Sequence, residues 1–518
     1  MLKLLTFTAC LLLCACVMVG PDYKEPKTSV AAHWSKKNGS VKETPLQTVT
    51  WWQVFHEPNL TSLINQGYHN NLSVQSAGVR VLQARAQLAQ SVGELYPQQQ
   101  AMLGNFNYNR IGGSSLSGLL PPVFDTAVLG FSANWEIDFW GKYRRAIQAN
   151  DASFLASLAA YDHALVTLTA DIATAYIKIR TDEALIKVTQ QNIKLQTMSL
   201  KLTQARYRAG QTSLLDVQQA LTELSETQAS LPPLLANLQQ QKDVLAVLLG
   251  IIPNGVDALL LKKPGIPLAP QTTAIGIPKE TLARRPDIHQ ARLEAMTQSA
   301  AIGAAKANLY PSLSLAGTFV FAANNINGSS ISDIFQWSNR SITAGPALSW
   351  PLLNYGQITN AVRTQDASFQ QALLKYMNLV LQAQQEVQDN ITRYIEAKKS
   401  ERFLTTANNS AIKATQLTII RYKEGEANYT TVLQVEQQQL RVQTSLVNAQ
   451  GEIPLAFVAL YRALGGGWQI RGGDDMVSKQ LQEEMAARTN WGSLLKQQNH
   501  QPPATEWQKI KQRYLPNW

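Results

Sequence analysis

Past residue 16 the chain contains no cysteine; its three, Cys10, Cys14 and Cys16, stand together at the N-terminus. That excludes a disulfide or a thiolate metal site from everything downstream. No run of eighteen or more apolar residues follows the N-terminus, so no transmembrane helix is expected, and any passage through a membrane falls to strands. Charged residues are only 16% of the chain, whereas long solvated helices normally carry far more Glu, Lys and Arg; Gln, Asn, Ser, Thr and Ala take their place. The formal charge of +10 is not gathered into a basic run or an aromatic–basic cluster, which argues against a nucleic-acid partner. There is no P-loop, HExxH or GxGxxG, and His33, His56, His69, His163, His289 and His500 do not cluster. No enzymatic activity, metal or cofactor is therefore expected.

Glycine and proline are missing from two long stretches, Lys142 to Ala209 and Gln357 to Glu424, each of sixty-eight residues and each closed by glycine at both ends. At 1.5 Å rise per residue either would form a helix roughly 100 Å long. The two stretches register at a constant offset of 215: Gly130, Trp135, Gly141, Asp151-Ala152-Ser153-Phe154, Arg206-Tyr207 and Gly210 recur as Gly345, Trp350, Gly356, Asp366-Ala367-Ser368-Phe369, Arg421-Tyr422 and Gly425. This reads as a duplication. Gapless spacing over more than a hundred residues suits two halves standing at equal height in one wall. On the first stretch, Leu165, Leu168, Ile172, Ala175, Ile179, Ile186 and Ile193 follow the three-and-four spacing of a packed seam. A solid coiled-coil rod is the alternative; the scarcity of charge and abundance of Gln and Thr favour a hollow assembly.

Residues Val128 to Asp138 alternate with a period of two, Leu129, Phe131, Ala133, Trp135 and Ile137 facing one way. Leu313, Leu315, Phe319 and Phe321 repeat the pattern, as do Ile342, Ala344, Leu348 and Trp350. With Gln98 to Arg110 that makes four strands. Apolar residues out and polar ones in, over about ten residues, mark a membrane barrel, although a half-buried soluble sheet shares the alternation. Ile111 to Thr126 and Ala323 to Arg340 are expected to be loops. Four strands cannot close, and an open edge in lipid leaves backbone groups unsatisfied. Two chains would give eight strands, a barrel filled by its own side chains; three would give twelve and leave a channel.

After each long stretch comes a short turn, Gly210 to Thr212 and Gly425 to Ala427, then a return helix. Interruptions are expected at Pro232-Pro233 in the first return and at Gly451 to Pro454 in the second. A helix preceding each pair of strands, Leu72 to Leu95 and Pro286 to Leu309, would cover the rest of the long neighbour. The organisation expected is a signal peptide over 1–15, a lipidated strap over 16–58, repeat 1 over 59–250, a linker over 251–278, repeat 2 over 279–465 and a tail over 466–518, equatorial or flexible. Lys3, the apolar run to Leu13 and the ending Leu13-Cys14-Ala15-Cys16 resemble a bacterial lipobox. That places the lipid, palmitate included, on Cys16. Val17 after it, rather than Asp, favours the outer membrane.

Cys16 followed by Gly20-Pro21-Asp22-Tyr23, Trp51-Trp52-x-x-Phe55-x-x-Pro58-x-Leu60, Arg284-Arg285-Pro286-Asp287-Ile288, Tyr310-Pro311 and Arg421-Tyr422-x-x-Gly425-x-x-x-Tyr429 together resemble the outer membrane efflux proteins. Within that family the chain is similar to the lipoprotein subgroup of the TolC-like and OprM-like outer membrane factors. The resemblance implies a mainly α chain with a membrane β-barrel: a homotrimer whose twelve-stranded barrel continues as a long periplasmic α-helical barrel. It implies a periplasmic adaptor that meets the helix-tip turns at Gly210 and Gly425, and an inner-membrane pump, usually of the resistance-nodulation-division type. The role implied is a passive exit duct for drugs and other small compounds. The outer component of a type I protein-secretion system shares the architecture, and a non-conducting periplasmic coiled-coil lipoprotein is the alternative from another class.

In the family an Asp and Arg ring near the second tip often constricts the channel. Here the corresponding positions fall on Gln434 and Gln437, with Thr430 one turn away. A latch of Gln amides is expected to rest on neutral hydrogen bonds, about 1 kcal/mol net each against roughly 1.5 to 3 for bonds to charged groups, and so to depend little on salt. Asp216, at the first tip, either faces the lumen or favours the N-terminus of its return helix. Glu436 reads as a solvated or packing residue.

Overall fold

Two helices set the dimensions. The computed structural model describes residues 18–34, 41–44, 49–112, 121–260 and 265–495; the expected signal peptide, Cys16 and the end of the tail lie outside the described residues. In chain order the elements are β1 (Val41–Lys42), α1 (Pro58–Asn70), α2 (Leu72–Gly93), β2 (Gln99–Arg110), β3 (Val123–Ile137), α3 (Lys142–Arg208), α4 (Leu214–Ala229), α5 (Leu231–Leu248), β4 (Thr273–Ala274), α6 (Pro278–Ala283), α7 (Pro286–Ala307), β5 (Ser312–Asn324), β6 (Arg340–Ser349), α8 (Gln357–Glu424), α9 (Tyr429–Ala463) and α10 (Lys479–Arg488). The long helices α3 and α8 have 67 and 68 residues, roughly 100 Å each. Each begins at a left-handed glycine, Gly141 (φ 77°) and Gly356 (φ 83°), the conformation that turns the chain from strand into helix and that a Cβ would disfavour.

Strands β2, β3, β5 and β6 form one antiparallel sheet in that order. Its register carries the alternation across the whole sheet. Met102, Phe131, Phe319 and Ile342 form one cross-strand row, and Ala101, Ser132, Thr318 and Thr343 form the next, on the opposite face. Met102, Phe131 and Ile342 are more than 60% exposed, an apolar face that a soluble sheet would cover. Strand β3 starts at Val123 and β5 runs to Asn324, so each takes a few residues from the expected loops; twelve cross-strand pairs between them extend the ladder to Thr126 and Asn324.

Helix α3 is the spine of the body: α1, α2, α4, α5, α7 and α9 all pack on it. Helix α7 lies against both α3 and α8, whereas its counterpart α2 packs along α3 and not along α8. The first return leg breaks between α4 and α5, where Leu231 and the prolines restart the helix. The second does not break. Helix α9 runs 35 residues straight through Pro454. An internal proline costs about 3 kcal/mol or more, and here that cost is offset by burial of the turns that follow it, with Ala456, Phe457, Val458 and Leu460 at most 1% exposed. Gly451 lets the helix press against α3, since a Cβ there would lie 2.5 Å from Thr181 Oγ1.

The main core sits midway along the body. Trp51, Trp52 and Phe55 insert as one turn of 3-10 helix, Trp51 stacking on Tyr461 (5.8 Å, 28°) and Phe55 meeting Phe457 edge-on at 5.3 Å. They join Leu165, Ile172 and Ile179 of α3 and Ile391 and Tyr394 of α8 in a single cluster. This end of the strap is therefore core rather than cover. Arg285 clamps the second half: it donates to Ala463 O (2.7 Å), to Glu386 Oε2 (2.9 Å) and to both Asp287 oxygens (3.1 and 2.7 Å). Burial would raise the Asp287 carboxyl, but the Arg285 hydrogen bonds and charge outweigh it and hold the group below the usual range.

The strap runs from the sheet end of α3 down α8. Val19 N donates to Trp140 O (3.0 Å) and Arg145 Nε donates to Val19 O (3.1 Å). Farther along, Tyr23 meets Phe369 edge-on at 6.4 Å, Tyr376 OH donates to Glu25 (3.2 Å) and Gln384 holds Ser29 O and Ala31 N (both 3.0 Å). Trp34 Nε1 donates to Gly276 O at 3.1 Å, beside the β1–β4 pair. The tail docks by Arg471, which pairs with Asp162 of α3 at 3.0 Å, and by Met476, whose carbonyl approaches α2 at Gly78.

Candidate functional site

The ends of α3 and α8 farthest from the sheet come together as two helical hairpins. Both long helices stop in the same way. Gln211 N donates to Arg206 O (2.8 Å) and Gly210 N to Tyr207 O (2.9 Å); Glu426 N donates to Arg421 O (2.8 Å) and Gly425 N to Tyr422 O (3.1 Å). These are paired five-residue and three-residue closures over a left-handed glycine, with φ of 71° and 86°. The return helices start on side-chain caps. Ser213 and Asp216 form a capping box, and Asn428 Oδ1 accepts from Thr431 N at 3.0 Å. Thr212 also donates to the Asp216 carboxylate. Asp216 is thus placed at the start of α4 as its cap, half-buried, rather than free in an open space.

The two hairpins are joined by aromatic and polar contacts. Arg206 donates to Tyr422 O and lies over the Tyr422 ring at 4.8 Å; Tyr422 meets Tyr429 edge-on at 5.8 Å. Leu200, Val217, Ala220, Leu224 and Val432 close a small apolar cluster around them. Beyond it lies a buried polar seam between α3, α4 and α9. Ser199 Oγ donates to Glu436 Oε1, Gln196 Nε2 donates to Glu223 Oε1 (3.3 Å), Gln437 Nε2 donates to Glu223 Oε2 (2.7 Å), and Asn192 Nδ2 donates to Gln443 Oε1 (2.6 Å). Thr415 of α8 ties to Val435 O at 3.2 Å.

Of the residues expected from sequence, Gly210 and Gly425 stand at the turns, and Thr430 and Gln434 are exposed on the outer turns of α9. Gln437 is held within the protomer by a carboxylate. That bond reaches Glu223 on the other hairpin, 214 residues away in sequence. Glu223, 7% exposed, is the residue sequence reasoning passed over, and Glu436, expected as a solvated or packing residue, is 0% exposed. Their spacing on α4 and α9 gave no sign that they face one another. Burial first, with Glu223 adding to it and the Ser199 bond opposing, pushes the Glu436 carboxyl up to about 7. Burial likewise raises the Tyr429 phenol. Among the described residues no group of three or more His, Cys, Asp or Glu could hold a metal ion. The arrangement is a mechanical joint between hairpins.

Residues 63–251 and 277–466 match the family model described as outer membrane efflux protein, one match on each repeat. The chain belongs to that family. It is 28% identical over 459 residues to Nodulation protein T of Rhizobium leguminosarum bv. trifolii, covering 88% of this chain and 96% of that protein. It is also 28% identical over 473 residues to the probable efflux pump outer membrane protein TtgC of Pseudomonas putida, covering 88% and 93%. Among solved structures, the outer-membrane channel OprN superposes with a TM-score of 0.80 at 28% identity, over 87% of this chain and all of that one. This efflux protein is thus a transport component of the outer membrane, built as a β-sheet continued by a long helical extension into the periplasm.

Proposed function

We propose that three copies close into one twelve-stranded barrel above a helical tube, a passive exit for small compounds handed over by an inner-membrane pump and a periplasmic adaptor. The observation that carries this is the open sheet of four strands on two helices of equal length. Among the described residues strands β2 and β6 each leave one edge unpaired, untenable in lipid unless another copy supplies the partner, and twelve strands leave a lumen where eight would not. The helices support the same count. Helix α7 touches both long helices while α2 touches only α3; repeat equivalence sends the free face of α2 to α8 of the next copy. Leu374 and Leu381 of α8, 57% and 55% exposed, line that face at the height of the groove formed by Ser73, Ala77, Ser157 and Ala164.

The adaptor meets the turns at Gly210 and Gly425, and the pump is of the resistance-nodulation-division type. A relative named for an efflux pump supports the tripartite setting. We infer lipid on Cys16 from the lipobox-like sequence, and the start of the strap supports it: Met18 rests on Gly141, at the junction of sheet and helix. The test is single-channel recording of the purified protein in planar bilayers. Discrete conductance steps from a three-copy particle are expected; silent bilayers with correctly assembled protein would overturn the duct.

A further inference from the structure

The buried seam at the hairpins contains more negative charge than it can neutralise. Glu436 is fully buried, and its Oε2 has no hydrogen-bond partner among the described residues; Gln196 Oε1, beside it on α3, has none either. Helix α3 presents Ser199 and Gln196 to this space, α4 presents Glu223, and α8 presents Thr415 and Tyr422; α9 itself adds Tyr429. Asp216 lies farther along α4 and acts on Tyr429. No lysine or arginine of the described residues forms an ion pair with Glu223 or Glu436, and Arg206, at the same joint, is engaged with Tyr422. Two carboxylates without a cation, in a site that excludes water, cannot both stay charged cheaply.

These groups sit on different hairpins. Glu436 belongs to the return helix of the second repeat, and Ser199 and Glu223 to the first. We propose that Glu436, buried beside Glu223, is a proton-operated joint: the proton on Glu436 keeps the two hairpins packed, and its loss to solvent drives them apart and opens the periplasmic end of the tube. This rests on the reading of the chain as a duct whose mouth lies at the hairpin tips. Parting the hairpins returns Glu436 to water, where its carboxyl takes its ordinary value. A group that binds its proton more tightly in the packed state favours that state at low pH and ceases to do so as pH rises to the packed-state value.

The experiment is bilayer recording of the assembled protein between pH 5 and 8.5. With Glu436 near 7 when packed and 4.5 when solvated, the open-to-closed ratio rises about 40-fold per protomer from pH 5 to pH 7, and only about twofold more to pH 8.5. Glu436→Gln, which keeps the Ser199 contact and carries no charge, holds the low-pH ratio throughout. Glu223→Gln removes the neighbouring charge, so its rise ends at lower pH. A wild-type channel that conducts without this rise overturns the joint alone, and so does an E436Q channel that keeps it. If E436Q does not assemble, a rise in E223Q that ends where the wild type's does overturns it equally. Absence of conductance at every pH overturns the duct as well.

Discussion

Placing an arginine on each face of β3 separates the lipid side of the sheet from the lumen side. Phe131 is the ninth of the fifteen residues of that strand, close to mid-height, in the row with Met102, Phe319 and Ile342. Ser132, next in the chain, points the other way beside Ala101 and Thr318. If the Phe131 row faces hydrocarbon, Phe131→Arg costs about 2–4 kcal/mol near the bilayer midplane. At 1.4 kcal/mol per decade the middle of that range is roughly a hundredfold loss in the folded-to-unfolded ratio. Ser132→Arg, projecting into water inside the barrel, costs only a fraction of that. The assay is denaturant-dependent folding into lipid vesicles, followed by the tryptophan emission of Trp135, with the assembled oligomer counted by gel migration without heating. Equal destabilisation by the two substitutions, or a larger effect from Ser132→Arg, would refute the assignment of faces and with it the membrane role of the sheet.

Arg285→Met leaves Asp287 and the Ala463 carbonyl buried without their donor; the expected loss is about 3–5 kcal/mol, seen as faster proteolysis between α7 and α8. Arg471→Met strips the cation from Asp162, whose carboxyl burial already pushes up to about 7. The docked tail then favours protonated Asp162, so trypsin should release residues beyond 466 more readily at pH 8.5 than at pH 5.5, and equal rates would refute the contact. Gly451→Val drives a side chain into Thr181 and should cost about 1–3 kcal/mol by overpacking, measured as lost thermal protection of the helical signal.

The sequence made some of this legible because spacing alone encodes it. A long gap between glycines writes the length of α3 and α8, a period of two writes β3 and β5, and a constant offset writes the two repeats and the paired turns at Gly210 and Gly425. What escaped depends on residues distant in the chain. Pro454 reads as a break until the burial of Phe457 and Leu460 is known, because local propensity is overridden by packing. Gln437 gives no sign of its partner until Glu223 is placed against it. Glu436 has the neighbours of an exposed helical carboxylate, and only the approach of Ser199 from the other hairpin turns it into a buried acid. The Arg-Tyr pairs at 206 and 421 were visible as a repeated motif, but their asymmetry, Arg206 reaching Tyr422 O, was not.

Every part of the account depends on several copies enclosing one lumen. Electron microscopy of the detergent-purified protein, viewed down the long helices, tests this most directly. Three-fold rings around an open centre, with each copy supplying four strands at one end, are predicted. Isolated monomers, a two-fold particle or a filled centre along the whole length would contradict it.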